Sequence, residues 1–435
     1  MSGIMEDHFV ELGMRQIYGG EMPFGISAAD RRQHLVVVGQ TGSGKTTLLK
    51  KMIVSDLLAG QGLVLIDPHG DLSHELLDVY PSWRANDLIY FEPADIDHPI
   101  SFNMLASAPA EQRHLIVGGI VSAMKSIWGD SWGPRMEYIL TNVLAALTEC
   151  ENVTLLAVGR MLVDDEFCRW VVKQVRDPTT LQFWTHEWPM WDARFRAEAS
   201  APVLNKVQAL LLAAPMRNTL GQVKSAFHPR HVLDHRKVFI ANLSRGRLGQ
   251  ENSSLMASLL VAAFGLAAMS RAAIPPSERR DVTIYVDEFS SIAGNALASM
   301  IAETRKYHVA IVLACQQFTA VRPEVLDAIV GNCGTTVSFR VGGKDAQVLS
   351  RQFNDVYPAS AFTALGNHEV LVKTLTAGRQ HEPFFARTLP DEHRCFGRRE
   401  KLLRHCRERY ATRRHLVESR IERWMRGRSW PENSQ

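Results

Sequence analysis

The eight residues Gly39-Gln40-Thr41-Gly42-Ser43-Gly44-Lys45-Thr46, led in by His34-Leu35-Val36-Val37-Val38, constrain this chain more than any other stretch. They fill every fixed position of the Gly-x4-Gly-Lys-Thr phosphate-loop pattern. The flanks also agree, with an apolar strand before the loop and a helix over Thr47 to Leu58 after it. Glycines at 39, 42 and 44 let backbone N–H groups turn inward around a polyphosphate. Gly39, Thr41, Gly42, Ser43, Gly44, Lys45, Thr46 and Thr47 are therefore the candidate binding residues. Lys45 brings a point charge to the β and γ phosphates, and the Thr46 hydroxyl can ligate Mg²⁺. The loop predicts a bound nucleoside triphosphate, ATP with Mg²⁺.

Binding alone is not hydrolysis, and a second pair of residues bears on that step. Val282-Thr283-Ile284-Tyr285-Val286 reads as a buried strand ending in Asp287-Glu288. A carboxylate at a strand end near the phosphate loop can hold Mg²⁺, and one beside it can act as general base toward water. On this reading Asp287 serves the metal and Glu288 the proton. The competing reading is that both acids cap the next helix, since Asp and Glu favour helix amino ends.

With 435 residues there is room for two to three domains. The six cysteines (150, 168, 315, 333, 395 and 406) form no CxxC and no disulfide framework, which suits a reducing, cytoplasmic setting. His393, Cys395, His405 and Cys406 are close in sequence but match no standard zinc spacing. The first sixteen residues carry no signal-peptide pattern. The longest apolar run, Leu255 to Met269, is shorter than a membrane-spanning helix. It reads instead as a buried helix on a sheet, so no membrane span is expected. The net charge of +3 conceals an asymmetry, because residues 394–435 carry thirteen Lys/Arg against five Asp/Glu. Such a basic end suits nucleic acid, an acidic partner or a membrane surface, and equally a solvated helix.

Strands are expected at 34–38, 63–66, 88–91, 237–241, 282–286, 309–314, 335–340 and 368–373, mostly separated by helical stretches. Near-continuous apolar strands of this kind imply an α/β fold with a mainly parallel sheet flanked by helices. Ligands of such sheets bind beyond the carboxyl ends of the strands, where Gly39 and Asp287 both lie. From Asn103 to about Arg236 strand candidates vanish and six of the nine tryptophans cluster. The expected layout is a nucleotide-binding domain in two parts, 1–102 and 237–392, an inserted all-helical domain at 103–236, and a basic helical tail at 393–435. The aromatics of the insert read as core anchors or as surfaces on which bases stack.

Further segments resemble one group of proteins. Leu65-Ile66-Asp67-Pro68-His69-Gly70-Asp71-Leu72, Asn242-Leu243-Ser244-Arg245-Gly246-Arg247-Leu248-Gly249, Ala302-Glu303-Thr304-Arg305-Lys306-Tyr307, Cys315-Gln316-Gln317 and Gly331 to Arg340 stand in order around the two motifs. Over about residues 20–390 the chain resembles the HerA–FtsK-type motor ATPases and the type IV secretion coupling ATPases of bacterial conjugation. The resemblance implies a RecA-like P-loop NTPase core, a homo-hexameric ring, nucleotide held between neighbours and DNA in the central channel. It implies that Gln316 senses the γ-phosphate, the alternative being a polar residue satisfying backbone at a strand end. It implies that Arg305 reaches the nucleotide of an adjacent subunit, the alternative being a surface ion pair, with Arg340 as a second candidate. Asp67, His69 and Asp71 fit either a place near the metal or a tight turn, and are left outside the catalytic set. Arg245 and Arg247 read as a solvated turn or as phosphate contacts.

The expected function is ATP hydrolysis coupled to DNA translocation, as in conjugative transfer. The alternatives are a secretion-system ATPase moving protein, and a ring subunit scaffolding a DNA repair or defence complex. The familiar coupling proteins carry membrane helices ahead of the motor, whereas only about thirty residues precede the first core strand here. A cytoplasmic motor follows, either free or recruited to the inner membrane face by a membrane or secretion-complex partner.

Overall fold

The computed structural model describes residues 8–106, 109–292 and 294–427. Residues 428–435, the end of the basic tail, lie outside them. The described residues form two compact units.

The first unit comprises residues 8–91, Pro229–Arg245 and residues 256–403. Its strands are β1 (Phe9–Ile17), β2 (Gly20–Ser27), β3 (Leu35–Val38), β4 (Gly62–Asp67), β5 (Leu88–Phe91), β6 (Val238–Asn242), β7 (Val282–Val286), β8 (Val309–Cys315), β9 (Thr335–Ser338) and β10 (Glu369–Lys373). A small separate hairpin, β11 (Leu375–Thr376) and β12 (Arg379–Gln380), precedes β13 (Phe384–Thr388). The main sheet runs β2-β1-β13-β10-β9-β3-β8-β7-β4-β6-β5. From β9 to β5 all neighbours are parallel, and from β9 outward to β2 all are antiparallel. Every residue of β3, β4, β6, β7 and β8 is buried, as continuous apolar runs covered on both faces require.

All eight expected strands are present, with borders shifted slightly. Three strands not expected from the sequence, β1, β2 and β13, extend the sheet on its antiparallel side. In β1 the buried positions include Val10 and Leu12, on alternate residues, the period of a half-buried strand. β2 forms one border of the sheet, with Gly20 to Pro23 exposed, and β5 forms the other. The helix Gln250–Met269 starts earlier than the apolar run suggested. With the turn that follows, Gln250–Ala273 is long and apolar enough to cross a bilayer, and 83% of its most apolar window is buried inside the protein. A helix apolar on all sides is one enclosed by other elements.

A buried charged cluster ties the phosphate-loop helix to the sheet. Asp56, fully buried in the helix Lys45–Leu58, accepts from the two terminal guanidinium nitrogens of Arg31 at 3.1 and 2.8 Å and from the Tyr285 hydroxyl at 2.7 Å. His8 Nε2 stands 3.1 Å from the same carboxylate. Burial alone would raise the Asp56 carboxyl, but the charge of Arg31 and the hydrogen bonds from His8, Arg31 and Tyr285 hold it below the usual carboxylate range.

His34 is a second buried titratable group, at the amino end of β3. Its Nδ1 accepts the Ile311 N–H at 3.1 Å, so the ring joins β3 to β8 in its neutral form. Burial, opposed by a backbone hydrogen bond and helped by the charge of Arg305, lowers its pKa to about 4. An unfolded chain takes up this proton near pH 6.5 and the folded chain does not. Stability from this group is therefore complete above about pH 6.5 and is lost as pH falls toward about 4, by about 3 kcal/mol in all. Unfolding measured across that window should slope less in His34→Asn. Asparagine tolerates the positive φ that the backbone adopts at this position. Equal slopes in the two proteins would remove His34 as the source.

The second unit comprises Glu92–His228, Gly246–Leu255 and residues 404–427, and no strand is found among its described residues. The unit borders differ from those expected. Residues 92–102 belong with the helices because Phe102 N–H bonds Thr219 O at 3.0 Å and Ile100 bridges Ala411. Residues 229–236 belong with the sheet, since the buried Arg271 holds Asp234 at 2.8 Å. Nor does the basic end stand apart as a tail. Its helices Arg399–Tyr410 and Arg414–Met425 bury Leu402, Cys406, Val417 and Ile421, and Arg407 pairs with Asp95 at 2.8 Å. Three of the tryptophans, Trp184, Trp188 and Trp191, pack together, with Trp184 and Trp188 buried and 5.2 Å apart between ring centres.

Candidate functional site

The carboxyl edge of the parallel strands gathers the sequence motifs in the first unit. Val38 pairs with Cys315 and Leu313 with Val286. Gly39, Gln316 and Asp287 thus leave three adjacent parallel strands, β3, β8 and β7, at one edge.

The phosphate loop is built from backbone. Gly39 N–H donates to Cys315 O at 3.2 Å and Gln40 N–H to Arg340 O at 2.8 Å, which fastens the loop to β8 and to the end of β9. Gly42 and Gly44 take φ values of 76° and 120°. These are open to glycine and strained for other residues. Gly39 has a further reason, because a Cβ there would sit 2.5 Å from Phe339. The helix Lys45–Leu58 then begins, at Lys45 rather than at the expected Thr47. The amides of Lys45, Thr46 and Thr47 at its amino end have no partner carbonyl within the helix. Together with the helix dipole they make a ready anion site. Thr41, Gly42 and Thr46 are exposed there, while Ser43 is buried and donates its hydroxyl to Gln40 O at 2.7 Å.

Lys45 crosses the loop and donates to Gly39 O at 2.5 Å and Gln40 O at 3.1 Å. Burial lowers its pKa, and the nearby charges of Glu288 and Asp287 oppose that shift. Asp287 is pushed up to about 6 by burial and by the carboxylates of Asp67 and Glu288. Carboxylates crowded in this way gain from a cation near them. Among the described residues no three His, Cys, Asp or Glu side chains converge to hold a metal by themselves. This donor set suits Mg²⁺, which takes one or two protein oxygens and fills its shell with phosphate and water.

Glu288 has a left-handed backbone, with φ 47° and ψ 49°. That conformation is unusual outside glycine. Its carboxylate accepts the Ser290 hydroxyl at 2.8 Å. Its N–H donates to Asp287 Oδ1 at 3.0 Å. Gln316, half-buried, follows β8 between the two motifs.

The remaining candidates divide. Arg305 is exposed in the turn before β8, at the opposite, amino edge of the sheet. The whole length of β8, Val309–Cys315, separates it from Gln316. An extended strand of that length spans about 20 Å. One chain therefore does not bring Arg305 to its own phosphate loop. Arg340 stands at the loop itself. Asp67 is fully buried and accepts from the backbone of His69, Gly70 and Ser73 and from the Ser73 hydroxyl, at 2.8–3.0 Å. Its carboxylate thus makes the tight turn that starts the helix Asp71–Val79. Arg247 is committed to Glu92 and to Ala94 O, and Arg245 N–H donates to Pro68 O.

One residue at the loop, His368, is not expected from the sequence. Its N–H donates to Ser43 O at 3.0 Å. Its ring and that of Phe339 lie where a Cβ on Gly44 would be, at 3.0 and 2.9 Å. The glycine at 44 is the one trace of this contact in the sequence.

Residues 10–118 match the family model described as the central domain of helicase HerA. No curated protein matches the chain. Among solved structures, the bacterial conjugative coupling protein TrwB in unbound form is similar with a TM-score of 0.63 at 14% identity, over 88% of this chain and 90% of that one. TrwB in complex with ADP and Mg²⁺ gives 0.63 at 15% identity, over 89% and 96%. VirB4 of Thermoanaerobacter pseudethanolicus gives 0.58 at 13% identity, over 88% and 96%. The chain has the P-loop NTPase fold of these proteins, and in that fold and in the match over residues 10–118 it resembles the HerA–FtsK-type motor ATPases, the conjugative coupling proteins among them.

Proposed function

We propose that this chain is an ATPase that couples ATP hydrolysis to movement of DNA, working as a homo-hexameric ring with DNA in its channel. The observation that carries the reading is the meeting of the phosphate loop and the Asp287-Glu288 pair at one edge of the parallel sheet, with Gln316 between them. The solved relative holding ADP and Mg²⁺ supports the same ligands here.

In this reading the loop amides and Lys45 bind the β and γ phosphates. Mg²⁺, held by Thr46 and Asp287, would draw charge from the phosphate oxygens. Glu288 takes a proton from the attacking water, with the Ser290 hydroxyl, 2.8 Å from its carboxylate, steadying the side chain. Gln316 reports the state of the γ-phosphate along β8. Arg305, which lies far from the phosphate loop of its own chain, would serve the site of a neighbouring copy, where a guanidinium stabilises charge in the transition state. Contact with DNA would run through its phosphates, independent of sequence and weakened by salt. We place the protein in the cytoplasm, free or recruited by a membrane or secretion-complex partner.

The test is ATP turnover with and without DNA, combined with mass measurement in ATP. Stimulation by DNA of several-fold and a hexameric mass are expected. Turnover indifferent to DNA would favour a motor that moves protein. A monomer hydrolysing at full rate with DNA present would end the ring-motor reading.

A further inference from the structure

The strand order gives the phosphate loop two unlike sides. On one side stand β8 and β7 with Gln316, Asp287 and Glu288, and on the other stand β9 and β10. Hydrolysis at Glu288 requires the γ-phosphate on the β7 side. The rest of a nucleoside triphosphate then has its way out of the loop toward β9 and β10, where the sequence offers only Arg340, as a second candidate for the arginine acting in trans.

Two side chains capable of meeting a nucleoside stand there. Arg340 closely follows β9, and its carbonyl accepts the Gln40 N–H of the loop. Its guanidinium reaches Leu365 O and Asn367 Oδ1 only at 3.5 Å each. That is the limit of hydrogen bonding, so the group is weakly committed to the protein. His368 directly precedes β10, which runs antiparallel to β9 and so starts at the same edge. Its backbone is left-handed, with φ 64°, and is pinned from both sides: its N–H donates to Ser43 O at 3.0 Å and its carbonyl accepts the Thr388 N–H at 2.9 Å. A strained non-glycine residue persists where its surroundings fix it. The pinning sets the imidazole, on an exposed residue, against Gly44.

We propose that His368 and Arg340 form the nucleoside-facing wall of this site, the imidazole packing on the base and the guanidinium meeting the sugar side. Planar rings and guanidinium groups hold bases by stacking and cation–π attraction. The proposal rests on residues 39–47 being a triphosphate site, and the test separates the two ideas.

Calorimetric titration of the full chain with two probes, ATP and inorganic tripolyphosphate, each with Mg²⁺, reads them apart. His368→Ala should weaken ATP about tenfold, the scale of one lost stacking contact, and leave tripolyphosphate within about twofold. His368→Asn removes the ring while tolerating the left-handed backbone, so it should fold as the parent does and give the same pattern. Arg340→Ala should weaken ATP in the same selective way. Equal losses for both probes would overturn the proposal, since His368 would then only brace the loop. Unchanged ATP affinity in all three variants would overturn it as well. Wild-type protein binding neither probe would overturn the triphosphate reading itself, and binding of tripolyphosphate as tight as ATP would leave that reading standing while sinking the nucleoside wall.

Discussion

Glu288→Gln should lower kcat for ATP hydrolysis by about 100-fold or more while leaving ATP binding near its wild-type level. The expected size is that of a lost general base, which contributes roughly 10² to 10⁴ in rate. Gln keeps the shape and the contact with the Ser290 hydroxyl but cannot accept a proton from water. Lys45→Ala should fail one step earlier. Lys45 supplies the buried positive charge of the loop. Its loss should weaken ATP binding itself by about tenfold or more, as a lost charge-assisted contact does. Measuring affinity and turnover on both variants gives a pattern that a helix-capping role for the acid pair would not produce. Capping residues removed in this way would lower stability and leave kcat in place. Wild-type turnover in Glu288→Gln would remove the catalytic assignment.

Asp56→Ala should be the most damaging single change to stability outside the site. It leaves Arg31 buried without its partner and strips the Tyr285 hydroxyl of its acceptor. Breaking a buried pair from one side costs about 3–5 kcal/mol, because the remaining charge stays desolvated. Tyr285→Phe removes one hydrogen bond from the same carboxylate and should cost only about 1 kcal/mol. Urea unfolding of the two variants should therefore show a much larger midpoint shift for Asp56→Ala. Similar shifts in both would mean that the carboxylate is not stabilised chiefly by Arg31.

Much of the core was legible because its chemistry is local. The runs at β3, β4, β7 and β8 are almost wholly apolar, which only strands covered on both faces require. The phosphate loop and the Asp287-Glu288 pair were readable for the same reason, since each is a contiguous set of residues tied to a strand end. β2 was hidden by Gly20, Pro23 and Gly25, residues depleted from strands. The packing role of residues 404–427 was hidden because the buried Cys406, Val417 and Ile421 come from two short helices rather than one stripe. His368 could not be found from its neighbours at all. Its meeting with Ser43 joins opposite ends of the sheet unit's sequence, and only the folded antiparallel return of β10 brings them together.

The border strand β2 carries one more consequence. Its outward main-chain groups are the kind that recruit strands from other molecules into aggregates. Pro23 offers no N–H to such a strand, Glu21 places a charge beside it, and the glycines at 20 and 25 weaken any extended pairing. A protein with so wide a sheet thus ends it on a strand poorly able to template another, and Pro23→Val should increase its tendency to precipitate on heating.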